Sequence, residues 1–117
     1  MKLEKRRNCY IVVCCVFTEK PSITTQPEGD TITEGHNVTL SCNATGNPVP
    51  TISWTRDESP LNASGRISFA DDKKQLTITN VNRTDSGEYQ CVAENRVGSD
   101  TSKSASLNVQ CKFNILF

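Results

Sequence analysis

The sequence predicts an all-β domain. Short runs rich in Thr, Val, Ile and Ser alternate between apolar and polar residues, clusters of Gly, Pro, Asn and Asp part them every eight to twelve residues, and no apolar pattern of helical period competes. The alternation places strands at 22–26, 30–33, 37–43, 51–56, 67–70, 75–79, 87–94 and 101–109. So many short strands imply a sandwich or a barrel.

At 117 residues the chain holds one domain's worth of material. Within 21–110 there are seven Lys or Arg against eleven Asp or Glu, so the body is mildly acidic. That sign gives no footprint for nucleic acid and no polybasic patch for anionic lipid. No apolar run reaches the roughly 18 residues of a membrane-crossing helix, so no direct membrane insertion is expected of this segment. Six cysteines point to an oxidising compartment or a metal site. Without a Cys-x-x-Cys pair and with His36 as the only histidine, no metal and no cofactor is expected.

The two ends read differently from the middle. Residues 1–20 run from a basic Lys2–Arg7 segment into the apolar Cys9–Phe17 and break at Thr18-Glu19-Lys20-Pro21, the outline of a signal peptide. The same stretch can also be encoded by a thymine-rich tract ending in ACAG, the form of an intron's 3′ end. Cys111-Lys112-Phe113 can be encoded by T-GTAAG-TTT, a splice donor. On that reading 21–110 is a domain-sized exon, 111–117 is a tail outside it, and Cys9, Cys14, Cys15 and Cys111 have no structural role.

Within the body, Val38-x-Leu40-x-Cys42 and Tyr89-x-Cys91-x-Ala93 are both period-two apolar faces, so Cys42 and Cys91 point inward. Two inward thiols on opposed strands can close a cross-core disulfide, which by loop entropy would contribute about 4 kcal/mol. Trp54, on the alternating run Ile52-x-Trp54, is expected to pack on that bridge.

This Cys…Trp…Cys pattern resembles the immunoglobulin superfamily, and further motifs agree. Asp85-x-Gly87-x-Tyr89-x-Cys91 resembles the entry to the family's strand F, with Tyr89 at the tyrosine corner. The resemblance places Arg66 as the ion-pair partner of Asp85 and Leu76-x-Ile78-x-x-Val81 as strand E. Gly46-Asn47-Pro48-x-Pro50 is similar to the B–C loop of the intermediate, or I-set, type. Only 31 residues part Trp54 from Asp85, too few for the two extra strands of an antibody variable domain. The implied architecture is a two-sheet immunoglobulin-like sandwich with Greek-key connections.

Four Asn-x-Ser/Thr sequons, at Asn37, Asn43, Asn62 and Asn82, are candidate glycan acceptors. Parity from Cys42 turns Asn37 and Asn43 outward. His36 reads as a solvated turn residue, and Asp71-Asp72-Lys73-Lys74 as the charged tip of a hairpin between strands D and E. No nucleophile–base–acid set can be assembled, so no catalysis is expected.

The resemblance therefore implies a non-catalytic extracellular protein-recognition module, secreted or in a cell-surface adhesion or receptor ectodomain beside other immunoglobulin-like domains. Its partners would be proteins, homophilic or heterophilic, bound weakly by each domain. The alternatives are a structural spacer of a matrix or muscle filament protein and an ectodomain piece of a receptor kinase or phosphatase. Parity defines one outward surface on strands C, F and G: Ser53, Thr55, Glu88, Gln90, Val92, Glu94, Ser104, Ser106 and Asn108. No sequon falls on it, and it is the expected binding face.

Overall fold

A computed structural model of the chain describes residues 17–111, and all its regular elements but one turn are strands. In chain order these are β1 (Glu19–Thr25), β2 (Asp30–Thr33), β3 (Val38–Ser41), β4 (Asn43–Asn47), β5 (Thr51–Arg56) and β6 (Ser59–Pro60). Then come β7 (Ile67–Ala70), β8 (Gln75–Ile78), a 3-10 turn at Arg83–Asp85, β9 (Gly87–Glu94), β10 (Ser99–Thr101) and β11 (Ala105–Gln110). The expectations for residues 1–16 and 112–117, with Cys9, Cys14 and Cys15, lie outside the described residues.

One layer has the order β2-β11-β9-β5-β6, with β10 also paired to β9. The other is β3-β8-β7, extended by the β1-β4 pair. Strands β3 and β4 are parted only by Cys42, whose N–H donates to the Lys74 carbonyl at 2.8 Å. Every pairing is antiparallel except β2 with β11, which runs parallel over four residue pairs. Two-residue β6, paired with the end of β5, is the single strand added between Trp54 and the β7 edge, in line with the short spacing.

The period-two pattern explains the interior. Val38, Leu40 and Cys42 of one layer face Ile52, Trp54, Tyr89, Cys91, Ala93, Leu107 and Val109 of the other, and all are buried. Leu76, Ile78 and Val81 are at most 1% exposed and complete the core. The Cys42–Cys91 disulfide joins the two layers across 49 positions, with a Cα–Cα distance of 6.5 Å. Trp54 sits beside it as the cross-strand partner of Cys91.

Three elements differ from the expected strand list. β1 begins at Glu19 rather than 22, because Glu19 already pairs with Asn47, and Asn95 Nδ2 donates to the Glu19 carbonyl at 2.9 Å. The strand through Cys42 continues to Asn47, four residues past its expected end. The expected single strand 101–109 is broken between β10 and β11. Unbroken alternation from Ala105 would turn Lys103 into the core, and burying an unpaired ammonium is costly. Instead Lys103 is exposed and Ser102 is buried. Ser102 exchanges two bonds with Cys91: its N–H donates to the Cys91 carbonyl at 2.9 Å, and its Oγ accepts the Cys91 N–H at 2.9 Å.

Two tight turns carry left-handed residues. Asp57 and Glu58, at φ 50° and 69°, form the two-residue link from β5 to β6, where both positions must have positive φ. Asp71, Asp72 and Lys73 do the same at the β7–β8 tip, which is the charged hairpin tip expected there.

Candidate functional site

The lower end of the sandwich is organised around Asp85. The side chain is almost fully buried, at the end of the 3-10 turn. Arg66, just ahead of β7, reaches it with two bonds, Nη1 to Oδ2 at 2.7 Å and Nη2 to Oδ1 at 3.1 Å. The Asn82 N–H donates to Oδ2 at 2.8 Å. Burial alone would raise the pKa of this carboxyl, but the Arg66 hydrogen bond, the Asn82 N–H and the charges of Arg66 and Arg56 outweigh it. The net result lies below the ordinary value. Tyr89 donates its hydroxyl to the Asp85 carbonyl at 2.7 Å, the geometry of a tyrosine corner. Arg66, Asp85 and Tyr89 thus form one structural unit, with Gly87 between the last two.

Sequence reasoning missed three contacts here. Asn82 caps the turn: its Oδ1 accepts from the Thr84 N–H at 3.0 Å and from the Thr84 hydroxyl. Its own N–H bond to Asp85 makes the arrangement a capping box. Ser102, as above, repairs the break in the last strand. The Trp54 indole N–H donates to the Lys73 carbonyl at 2.6 Å, so the left-handed β7–β8 tip supplies the acceptor that a buried indole requires. Only the capping box had a local signal, an Asn three residues before an Asp.

The expected outward surface is assembled largely as the parity implies. Thr55 lies opposite Gln90 and Ser53 opposite Val92 across β5 and β9, and Glu88 lies opposite Ser106 across β9 and β11. Glu94 ends β9 against Thr51, whereas Asn108 pairs with Thr31 of β2 toward the other edge. Ser104 is exposed but stands in the break between β10 and β11, not on a strand. Val92 and Gln90 are half-buried, and Gln90 Nε2 is committed to the Ser102 carbonyl at 3.0 Å.

This surface is acidic. Glu88 and Glu94 are exposed, and the β5–β6 turn adds Asp57 and Glu58. A shallow cleft of about 330 Å³ is lined by Asp57, Glu58, Glu88, Gln90 and Ser104. Arg56 does not offset these charges, because its guanidinium turns to the Thr84 carbonyl and lies 3.9 Å from Asp85.

The opposite surface has no ionisable group at its centre. Its outward residues are Thr39 and Ser41 on β3, Asn43 and Thr45 on β4, Ser68 and Ala70 on β7, Gln75 and Thr77 on β8, and Ser22 and Thr24 on β1. Ser68, Thr77 and Thr39 form one cross-strand row, with the Thr39 and Thr77 hydroxyls 3.3 Å apart. Asn43 stands on this surface and Asn37 at the foot of β3. Both are exposed, as are Asn62 between β6 and β7 and Asn82 beside the 3-10 turn. His36 is exposed in its turn, with Nδ1 3.1 Å from the Thr33 carbonyl.

Two facing sheets, a disulfide between them, a tryptophan against it and a tyrosine corner define an immunoglobulin-like domain. The chain belongs to the immunoglobulin I-set family, whose domain model matches residues 21–109. It is 40% identical over 92 residues to mouse hemicentin-2, covering 79% of this chain and 2% of that protein. Rat neural cell adhesion molecule 1 is 46% identical over 68 residues, covering 55% and 8%. The Drosophila tyrosine-protein phosphatase Lar is 39% identical over 93 residues, covering 79% and 4%. Among solved structures, the F17R mutant complex of titin M10 and an obscurin-like 1 immunoglobulin domain matches with a TM-score of 0.75 and 29% identity, covering 81% of this chain and 97% of that one. The chain therefore spans less than a tenth of the length of these three relatives.

Proposed function

We propose that this chain is a non-catalytic recognition domain of a secreted or cell-surface adhesion or receptor protein, and that it makes lateral protein contacts through the outward surface of β5, β9 and β11. The observation that carries this is the distribution of sequons: Asn43 lies on the opposite sheet and Asn37 at its edge, while none interrupts β5, β9 or β11. Glycan on Asn37 and Asn43 would shield one sheet and leave the other open. The Cys42–Cys91 bridge and the likeness to hemicentin-2 and neural cell adhesion molecule 1 support an extracellular setting. Because the open surface is polar, with Val92 its one strand-β9 hydrophobe, each contact is weak and gains strength from repetition along a multidomain chain. Its acidity fits a partner that presents basic side chains, another immunoglobulin-like domain included.

The test places a sugar on the open surface. Val92→Asn with Glu94→Thr creates a sequon on β9, and cell aggregation or partner binding is then measured with the fold verified. Loss of binding supports the assignment. Unchanged binding, together with loss on placing a bulky group at Thr39, reverses it.

A second reading, a spacer in a filament, is favoured by the likeness to titin domains. Peptide mapping under non-reducing conditions separates the two: free thiols at both Cys42 and Cys91 in native material would support the filament. In a third reading, favoured by the likeness to Lar, the domain is the ectodomain piece of a receptor phosphatase, and its own role in recognition is the same.

A further inference from the structure

Three of the four sequon asparagines use their side-chain amides in the same way. Oδ1 of Asn37 accepts the Asn80 N–H at 2.9 Å, tying the foot of β3 to the turn after β8. Oδ1 of Asn43 accepts the Ala44 N–H at 2.9 Å, where the strand resumes beyond Cys42. Oδ1 of Asn82 accepts the Thr84 N–H and hydroxyl and so closes the turn that carries Asp85. In each case Nδ2 donates to no described residue, and the residue is exposed. Asn62 is also exposed and makes no such bond among the described residues.

We propose that Asn37, Asn43 and Asn82 are bifunctional amides, in which the carbonyl oxygen serves the fold and the nitrogen carries a glycan, while Asn62 carries a glycan with no structural duty. The chemistry permits both uses at once. Attachment forms a bond from Nδ2 to the anomeric carbon of a pyrophosphate-linked sugar donor; the bond from that carbon to the pyrophosphate oxygen breaks, the substituted pyrophosphate leaves with the electron pair, and the proton given up by Nδ2 passes to a base of the transferring enzyme. The amide carbonyl is untouched, so Oδ1 keeps its hydrogen bonds. Those bonds also fix the orientation of the side chain, so the first sugar leaves the surface in a set direction at Asn37, Asn43 and Asn82, and in a variable one at Asn62.

At Asn82 the two duties share a residue. The Thr84 hydroxyl completes the sequon and is also bonded to Oδ1. Replacing Asn82 by Ala or Thr84 by Ala would each remove a sugar and damage the turn, whereas Thr84→Ser preserves both.

The proposal rests on the extracellular reading, and its test has two arms. The first uses the full chain made without glycan and refolded with the Cys42–Cys91 bridge formed, so glycan plays no part. Asp retains an acceptor oxygen and Ala does not. Expected are a fall of about 5 °C in Tm for Asn82→Ala and Asn37→Ala, a smaller fall for Asn43→Ala, and no change for Asn62→Ala, with the three Asp variants staying close to the parent. Asp variants as unstable as the Ala variants, or a matching loss at Asn62, would overturn the proposal. The second arm maps glycopeptides of the full chain secreted from animal cells. Sugar at all four positions is expected. Sugar at Asn62 alone would overturn the bifunctional assignment and leave the extracellular reading intact; sugar at none of the four would overturn both.

Discussion

The two outward surfaces of this sandwich share a core yet differ in charge. On the β5-β9-β11 side, Glu88 projects from β9 beside Asp57 and Glu58 of the β5–β6 turn and Glu94 from the far end of the same strand, while Arg56 turns away to Asp85. On the β3-β8-β7 side the projecting residues are Ser, Thr, Gln, Asn and Ala, and Asn43 is a sequon. The interior tolerates both, because alternation asks only that every second residue be apolar. The outward set is free to differ, and that freedom is where function can reside.

The largest perturbation separates the layers rather than altering either surface. Cys91→Ser opens the bridge and should lower stability by about 4 kcal/mol, read as a fall in the denaturant midpoint. The same variant should leave neither surface able to act, since both depend on the shared core.

Next is Arg66→Ala, which strips a buried carboxylate of its partner. The loss should be about 2–3 kcal/mol, below that of a fully enclosed pair, because Arg66 keeps 35% of its side chain in water. Acid sharpens this. Asp85 has a pKa in the fold below its unfolded value of about 3.9, so its contribution is fully present above that value and is lost as pH falls through the folded pKa. Denaturation measured from neutrality down to strong acid should therefore show the gap between parent and Arg66→Ala fully open near neutrality, starting to close where the unpartnered Asp85 of the variant takes up its proton and gone once pH has fallen through the folded pKa of the parent.

A smaller effect tests the turn that carries part of the acidic surface. Glu58 has φ 69°, a conformation glycine adopts without strain. Glu58→Gly should raise stability by up to about 1 kcal/mol, while removing one negative charge from the β5-β9-β11 side. If that side meets a basic partner, association should slow even as the fold becomes firmer.

The smallest expected change is on the uncharged side. Thr39→Val removes one hydroxyl from the Ser68–Thr77–Thr39 row and abolishes the Asn37 sequon without touching the core. Unglycosylated protein should change by less than about 0.5 kcal/mol, measured by thermal unfolding. A larger loss would mean that the row stabilises the sheet, and that the two surfaces differ in structural weight as well as charge.

Much of the molecule is written locally. Period-two alternation is enough to turn Cys42, Trp54, Tyr89, Cys91, Leu107 and Val109 inward and to set Ser53, Thr55, Glu88 and Ser106 on one surface, because side-chain direction along a strand follows from backbone geometry alone. The motif around Asp85 and Tyr89 likewise points to the immunoglobulin superfamily before any coordinate is known, and the Gly46–Pro50 loop with the short spacing from Trp54 to Asp85 points to its I-set.

What depended on the tertiary structure are contacts whose partners are distant in the chain. The Lys73 carbonyl that satisfies Trp54 is 19 positions away, and the Asn80 N–H that holds Asn37 is 43 away. Ser102 sits inward, against the parity of its strand, because Cys91 across the ladder offers it two bonds and Lys103 would otherwise be buried. The sequence by itself determined which residues alternate, and hence the core, the bridge and the family. Only the packed sandwich decided where alternation yields, since the cost of an unpaired buried donor or charge is set by groups brought together by the fold.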